Sequence, residues 1–494
     1  MSTANYDNQR TNANLHETIL NLWNVNTTSF GKIASFPVDG QIQAQALYIA
    51  GIRIPGNGMH NVVYVATMHN SVYAIDADAP QSTMPLWHVN LGPSVPTTSN
   101  RTPEIGILST PVIDLTRQAM YLVAETLEER CPSFRIHALS LVDGHEIMHG
   151  PAVITGGVTG SPDIVRVRGE VTLPLDASQH LQRPGLALTN GTVNVAFGST
   201  GDTGNWHGWL ASYDASDLRQ CVSVLNTSPN GYGAAIWQSG RAPAIDSKGN
   251  LYVVTGNGDY DGAVNFGESV LKISGADFRV LDWYTPDKWS DLNDNAWDLG
   301  STGAIVLPFF DGVLTGSKSG RLYLINSASM GQLGPDNTES VQSIEVNQSG
   351  IFDFALWNRQ SGPIVYLMEP WGSLKAFRIV NGQISPALLS RNTPQILSSY
   401  AGIAVSAKGD EEGTAIVWQT TGDYDTRGIS GTLHAFDATN LSLEIWNSDM
   451  VSRDALGSFA RFVAPTVVNG RVYVPTSSNA LIIYGLLDSL TTRN

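Results

Sequence analysis

A strand–turn–strand phrase recurs along the whole chain. In its first full copy the apolar run Asn61-Val-Val-Tyr-Val-Ala66 leads into the turn Thr67-Met-His-Asn70. A second run follows, ending Ala74-Ile-Asp76-Ala77, and Trp87 comes next. Later copies begin at Gly249-Asn-Leu-Tyr-Val-Val, Gly320-Arg-Leu-Tyr-Leu-Ile, Gly431-Thr-Leu-His-Ala-Phe-Asp-Ala with Trp446, and Gly470-Arg-Val-Tyr-Val-Pro. A period of roughly fifty residues made only of strand signals specifies a β-propeller, one antiparallel sheet per repeat. Counting strands from the axis outward, the Tyr/Val-rich second strand falls near residues 61–67, 119–124, 192–198, 250–255, 312–316, 363–368, 414–420 and 471–476. This predicts an all-β, eight-bladed propeller. Seven blades is the alternative, because the fifth repeat is compressed and the sixth has a poor Asp-Ala turn. The chain ends soon after Tyr484, one strand short, so residues 23–40 are expected to supply the last outer strand and leave no open sheet edge. Residues 1–22 read as an irregular N-terminal arm packed on the outside, and residues 23–494 as a single propeller domain.

Charge narrows the function. The formal net charge is -16, with 28 Lys and Arg against 44 Asp and Glu, and no basic run stands out. A phosphate-binding surface needs clustered cations, so nucleic acids and anionic membrane surfaces are not expected partners. No stretch approaches about 18 consecutive apolar residues, the span of a membrane helix. The first residues carry neither a basic segment nor an apolar core, so no signal peptide is expected. The compartment stays open, a secretory protein with its signal removed included. Cys131 and Cys221 form neither a CxxC nor a haem-binding CxxCH, and two idle thiols are favoured over a disulfide.

In a propeller, the loops joining second to third strands and those joining one blade to the next share one face. Three such loops carry Gly-Asp turns, at Asp202, at Asp259 with Asp261, and at Asp423 with Asp425. Asp closing its own turn is favoured over a Ca²⁺ site. Trp206, Trp237, Trp297, Trp357, Trp371, Tyr232, Tyr260, Tyr400 and Tyr424 crowd the same face, away from the blade-packing position of Trp87, Trp283 and Trp446. They suit a cavity for a flat, apolar ligand. His69 and His207 are candidates for proton transfer near neutral pH. Arg183 and Lys318 offer positive charge and Gln45 a hydrogen-bond donor. Asp298 and Arg461 fall at the starts of inner strands on this face. No metal ligand set is expected.

The Tyr-Val-x-Thr and Ala-x-Asp-Ala halves of the repeat resemble the pyrroloquinoline-quinone-like β-propeller superfamily. Tyr6-Asp7-Asn8-x-Arg10-Thr11-x-Ala13-Asn14, Arg183-Pro-Gly-Leu186, Gly201-Asp202 with His207-Gly-Trp209, and Gly256-Asn-Gly258 resemble one bacterial and fungal branch of it. Quinoprotein dehydrogenases of this kind hold the quinone between a disulfide of adjacent cysteines and a Trp, with Ca²⁺ beside an Asp base. This chain has no adjacent cysteine pair, so the expected cofactor is none. In outline the chain is also similar to the fungal hetero-Diels–Alderases of tropolone–sesquiterpenoid secondary metabolism. That likeness implies a cofactor-independent pericyclase acting on small apolar organic substrates. It implies walls from Trp206, Trp237, Trp371, Tyr400 and Tyr424, loss of water assisted by His69 or His207, and oxygen polarised by Arg183, Lys318 or Gln45. Two other classes stay open: a quinone- and Ca²⁺-dependent dehydrogenase, and a non-catalytic ligand-binding or interaction propeller.

Overall fold

Val62, Val63, Tyr64, Val65 and Ala66 are each no more than 3% exposed, so this strand is covered on both faces. Continuous apolar strands need that environment, and stacking one sheet face to face on the next provides it. The computed structural model describes residues 1–99, 101–161, 171–370, 374–393, 400, 402–423 and 430–487. In it eight sheets, each with four antiparallel strands at its heart, circle a central axis. The first blade is Leu47–Ile54, Gly58–Ala66, Ser71–Asp76 and Trp87–Asn90. The last is Thr466–Val468, Arg471–Pro475 and Ala480–Leu486, with Phe30–Pro37 as its outer strand. The eight second strands lie where the repeat places them, which removes the seven-bladed alternative. The long insertion in the third repeat contributes a small hairpin, Gly157–Gly160 with Val171–Pro174.

The two halves of the repeated phrase meet across blade boundaries. The second-strand Tyr of one blade donates its hydroxyl to a carbonyl in the turn after the third strand of the next. Tyr64 reaches the Leu141 carbonyl at 2.9 Å, Tyr121 that of Ala215 at 2.6 Å, and Tyr366 that of Ala438 at 2.8 Å. The Asp of that turn holds it in shape: Asp214 Oδ1 accepts from the Ser216 N–H at 2.7 Å, and Asp437 Oδ1 from the Thr439 N–H at 2.7 Å. Trp87 Nε1 donates to the same Leu141 carbonyl at 3.0 Å.

Ring closure rests on Phe30. Its ring lies 4.9 Å from Trp446, 5.6 Å from Trp418 and 6.4 Å from Tyr484, in the core between the seventh and eighth blades. Phe30→Ala is expected to destabilise the protein by about 3–5 kcal/mol through cavity formation. Denaturant titration measures this. A loss below about 1 kcal/mol, the size of an ordinary surface change, would mean that the closure is held elsewhere.

The arm is not on the outside. It runs round the channel wall in the order of the blades. The carbonyl of Met1 accepts from Tyr48 N (3.2 Å), that of Ser2 from Ile113 N (2.7 Å), and that of Asn8 from Ile245 N (2.7 Å). Next come Gln9 to Val306 N (3.1 Å), Thr11 to Leu356 N (2.8 Å) and Asn12 to Val405 N (2.8 Å). Tyr6 Oη joins the eighth blade, donating to the Pro465 carbonyl at 2.8 Å and accepting from Val467 N at 2.7 Å. The inner strands present unpaired edges to the channel, and the arm bonds to those of seven blades. Positive φ at Asn5, Tyr6, Arg10 and Asn12 lets so short a segment curl.

Candidate functional site

With the arm across one end, the channel opens at the other into a cavity of about 690 Å³. Its floor is aromatic. Phe352 and Phe462 stack with centroids 6.0 Å apart, Trp237 lies 5.9 Å from Phe462, and Tyr400 meets Phe352 edge-on at 4.9 Å. Phe462 reaches the axis because its backbone turns at φ 60°. Trp206 forms part of the wall, packed edge-on to Tyr232 at 6.4 Å.

Cations are layered on these rings. The Arg461 guanidinium lies 4.3 Å from the Phe462 centroid and 4.7 Å from that of Tyr400, and Arg183 lies 5.4 Å from Phe462. Arg183 Nη2 donates to the Arg461 carbonyl at 2.8 Å, which fixes the floor. Lys318 Nζ sits 5.0 Å from the Trp237 ring and is ion-paired with Asp298. Such stacking strengthens as water is removed. The Asp298 side chain, only 8% exposed, also accepts from Asn257 N at 3.1 Å. Behind it lies the carboxyl of Glu268, wholly buried.

The structure brings Arg183, Trp206, Trp237, Lys318 and Tyr400 to this cavity. Trp371 and Tyr424 lie outside the described residues. Gln45 does not reach the cavity. It lines a polar chamber of about 20 Å³ between floor and arm, with its Oε1 accepting from Asn5 N at 2.9 Å. His69 stands at the rim rather than in the cavity, its side chain 49% exposed and its Nδ1 2.9 Å from Glu104. That contact raises its pKa above the ordinary value, outweighing slight desolvation. Trp357 is a core residue bonded to the Gly409 carbonyl at 3.1 Å, not a mouth aromatic.

His207 is also misplaced by the sequence reading. It is 3% exposed and sits beside His180, whose Nε2 accepts from both His207 N and Trp209 Nε1 at 3.1 Å. Those two donors require His180 to be neutral there. Burial first, and His180 second, push the His207 pKa down to about 4. A depressed histidine pKa makes the folded state bind fewer protons than the unfolded one. Its contribution is therefore present above the unfolded value near 6.5 and is lost as pH falls towards about 4. His207 alone should cost roughly 3 kcal/mol across that window. Glu125, raised by burial to about 8, acts in the opposite sense between pH 8 and 4.5. The measurement is thus the difference in melting-temperature slope between parent and His207→Gln. Identical slopes would mean that His207 is not held neutral.

The sequence reading missed Phe352, Phe462 and Glu268. Phe352 lies one residue before the inner strand Asp353–Trp357, and Phe462 four residues before Thr466–Val468, so extending each inner-strand start a few residues upstream would have found them. Asp261 closes its own loop, Asp259 ties its loop to a neighbouring one, and Asp425 lies outside the described residues. Asp261 accepts from Ala263 N, Val264 N and Asn265 N at 2.8 to 2.9 Å, and Asp259 from Tyr232 N at 3.2 Å. Among the described residues no three His, Cys, Asp or Glu side chains are grouped to hold a metal ion.

No family model and no curated protein matches the chain. Solved structures match its fold. Quinohemoprotein alcohol dehydrogenase ADHIIG from Pseudomonas putida HK5 superposes with a TM-score of 0.62 at 12% identity, over 98% of this chain and 80% of that one. BamB from Moraxella catarrhalis gives 0.51 at 15% identity, over 92% of this chain and 99% of that one. The computationally designed Ika8 protein gives 0.51 at 10% identity, over 92% and 99%. At these identities the likeness is one of fold alone, the β-propeller.

Proposed function

We propose that the mouth binds a small, planar, largely apolar organic molecule carrying an acidic hydroxyl, and converts it without a resident cofactor. The observation that carries this is the cavity itself: about 690 Å³, aromatic in floor and wall, with one Lys–Asp pair at its side. That volume falls in the range of about 300–1,000 Å³ usual for small-molecule sites. The reaction we assign is a hetero-Diels–Alder cyclisation joining a tropolone-derived quinone methide to a sesquiterpene alkene. The ring hydroxyl gives its proton to Asp298, and the hydroxymethyl C–O bond breaks. The departing hydroxide takes up that proton and leaves as water. Lys318 stabilises the oxygen as charge develops on it. Trp237, Phe352 and Phe462 hold diene and alkene together, and their apolar surface keeps competing water out. The test is incubation of purified protein with a hydroxymethyl tropolone and humulene, followed by chromatography of the adduct and its diastereomers. Background rate and background diastereomer ratio would end the cyclase reading.

Fold likeness to a quinohemoprotein dehydrogenase favours a second reading, an oxidoreductase using quinone and Ca²⁺. The residues do not fit that group. Cys131 and Cys221 are separate, exposed thiols, so no adjacent-cysteine disulfide can flank a quinone. Lys318 pairs with the Asp298 carboxylate, whereas Ca²⁺ needs several oxygen ligands. Dye reduction on alcohols after reconstitution with pyrroloquinoline quinone and Ca²⁺ would reinstate it.

A further inference from the structure

Glu268 is the buried group that the site described so far leaves without work. Its side chain is 0% exposed, at the end of the loop that also carries Asn257. Its backbone is held at φ 49°, with its N–H donating to the Gly256 carbonyl at 3.0 Å. One carboxyl oxygen, Oε2, accepts from Leu299 N at 2.6 Å. The other, Oε1, is buried with no hydrogen-bond partner. Leu299 directly follows Asp298, so Glu268 is bonded to the peptide that links the two. A carboxylate with an orphaned oxygen in so dry a place is heavily penalised, and a neutral acid much less so.

The charged and titratable groups facing Glu268 are Asp298, Lys318 and Tyr323. Asp298 repels a second negative charge. Lys318 attracts one, but it is already ion-paired with Asp298. Tyr323 is uncharged, its pKa driven up by burial. Burial first and Asp298 second raise the Glu268 carboxyl well above its ordinary range, and Lys318 offsets only part of this. The two carboxyls differ in their partners: Asp298 has the Lys318 ion pair, and Glu268 Oε1 has no hydrogen bond.

We propose that Glu268 is a neutral carboxylic acid that acts as a positioning residue: by staying uncharged, it leaves the Lys318 ammonium free to turn to an oxyanion in the mouth when Asp298 takes up a proton. The inference rests on the proposed chemistry of the mouth and adds to it. Were Glu268 ionised, it would compete for the Lys318 charge, and an oxyanion beside Trp237 would face an extra negative group. The bound hydroxyl loses its proton to Asp298, its electron pair stays on oxygen, and Lys318 exchanges one anionic partner for the other. Glu268 neither gains nor loses a proton in this step.

The probe is 4-nitrophenol, a planar phenol whose ionised form is read by absorbance. The parent is expected to bind the phenolate, and to lose about tenfold in affinity as alkaline pH ionises Glu268. Glu268→Gln keeps the Leu299 N–H bond through its amide oxygen but cannot ionise, and should abolish that alkaline loss. Independently, the infrared difference spectrum of parent minus Glu268→Gln at neutral pH should contain the C=O stretch of a protonated carboxylic acid. A carboxylate band in its place, or phenolate binding weakened about tenfold in Glu268→Gln at neutral pH, overturns the proposal. Failure of both proteins to bind the probe counts against the reading of the mouth, while the infrared band still decides the state of Glu268.

Discussion

Arg241→Met is expected to destabilise the protein by about 3–5 kcal/mol, the cost of stranding a buried charge. The Arg241 side chain is 2% exposed and ties three parts of the ring together. Nε donates to the Thr302 carbonyl at 2.9 Å, ahead of the fifth blade, and Nη1 to the carbonyl of Arg10 in the arm. Nη2 donates to Asp353 Oδ1 at 2.6 Å and to the Phe354 carbonyl at 2.7 Å, on the sixth blade. Its guanidinium also lies 4.5 Å from the Phe354 ring centroid. Without it, Asp353 keeps only neutral donors: Asn12 Nδ2 at 3.0 Å, Phe354 N at 2.9 Å and Ile403 N at 2.8 Å. Met fills the volume, so the loss reads out charge and hydrogen bonding rather than a cavity. Equilibrium unfolding in denaturant measures it. A change under about 1 kcal/mol would mean that the arm and blades are joined without help from the Arg241 charge.

In Lys318→Met, turnover should fall by about 10²–10³-fold while the protein stays folded, the usual loss when one donor to a developing oxyanion is removed. The ammonium is the cation that both faces the cavity and contacts Asp298, and the Trp237 ring beneath it holds it in place. The expected loss is in kcat rather than KM, since the charge it stabilises grows only on the way to the transition state. Trp237→Ala should act differently, altering the diastereomer ratio by removing the surface that orients the partners. Thermal melting comes first for both variants. If folded Lys318→Met turns over like the parent, the mouth chemistry proposed for it is wrong.

The propeller was legible because its repeat carries both partners of a contact, the Tyr of one blade and the Asp-Ala turn of the next. The arm was not. Polar residues without periodicity read as a loose surface segment, and the backbone N–H groups that receive the arm are the same in every sequence. Placement of loops on one face was enough to bring Arg183, Trp237 and Lys318 together on paper. It failed for His207, because a loop histidine and a buried one look alike until His180 is seen behind it. It failed for Gln45 by depth, since the side chain reaches the axis below the aromatic floor. Glu268 was passed over because a carboxylate in a loop is expected to face water, and only the fold shows that this loop turns inward.

The circling arm also sets an order of events. Residues 1–15 leave the ribosome before the strands they bind, since those N–H groups are distributed from Tyr48 to Val467, and Phe30–Pro37 pairs with Ala480–Leu486. At about 5–20 residues per second, the 450 positions from Phe30 to Ala480 take roughly 20–90 s to make. For nearly all that time the first forty residues have no complete binding partner. Chain closure over so long a separation is slow and leaves sheet edges open to other chains. The same segment that stops the channel is therefore the last piece to settle, and its docking marks the moment at which the ring, and with it the floor of the mouth, becomes complete.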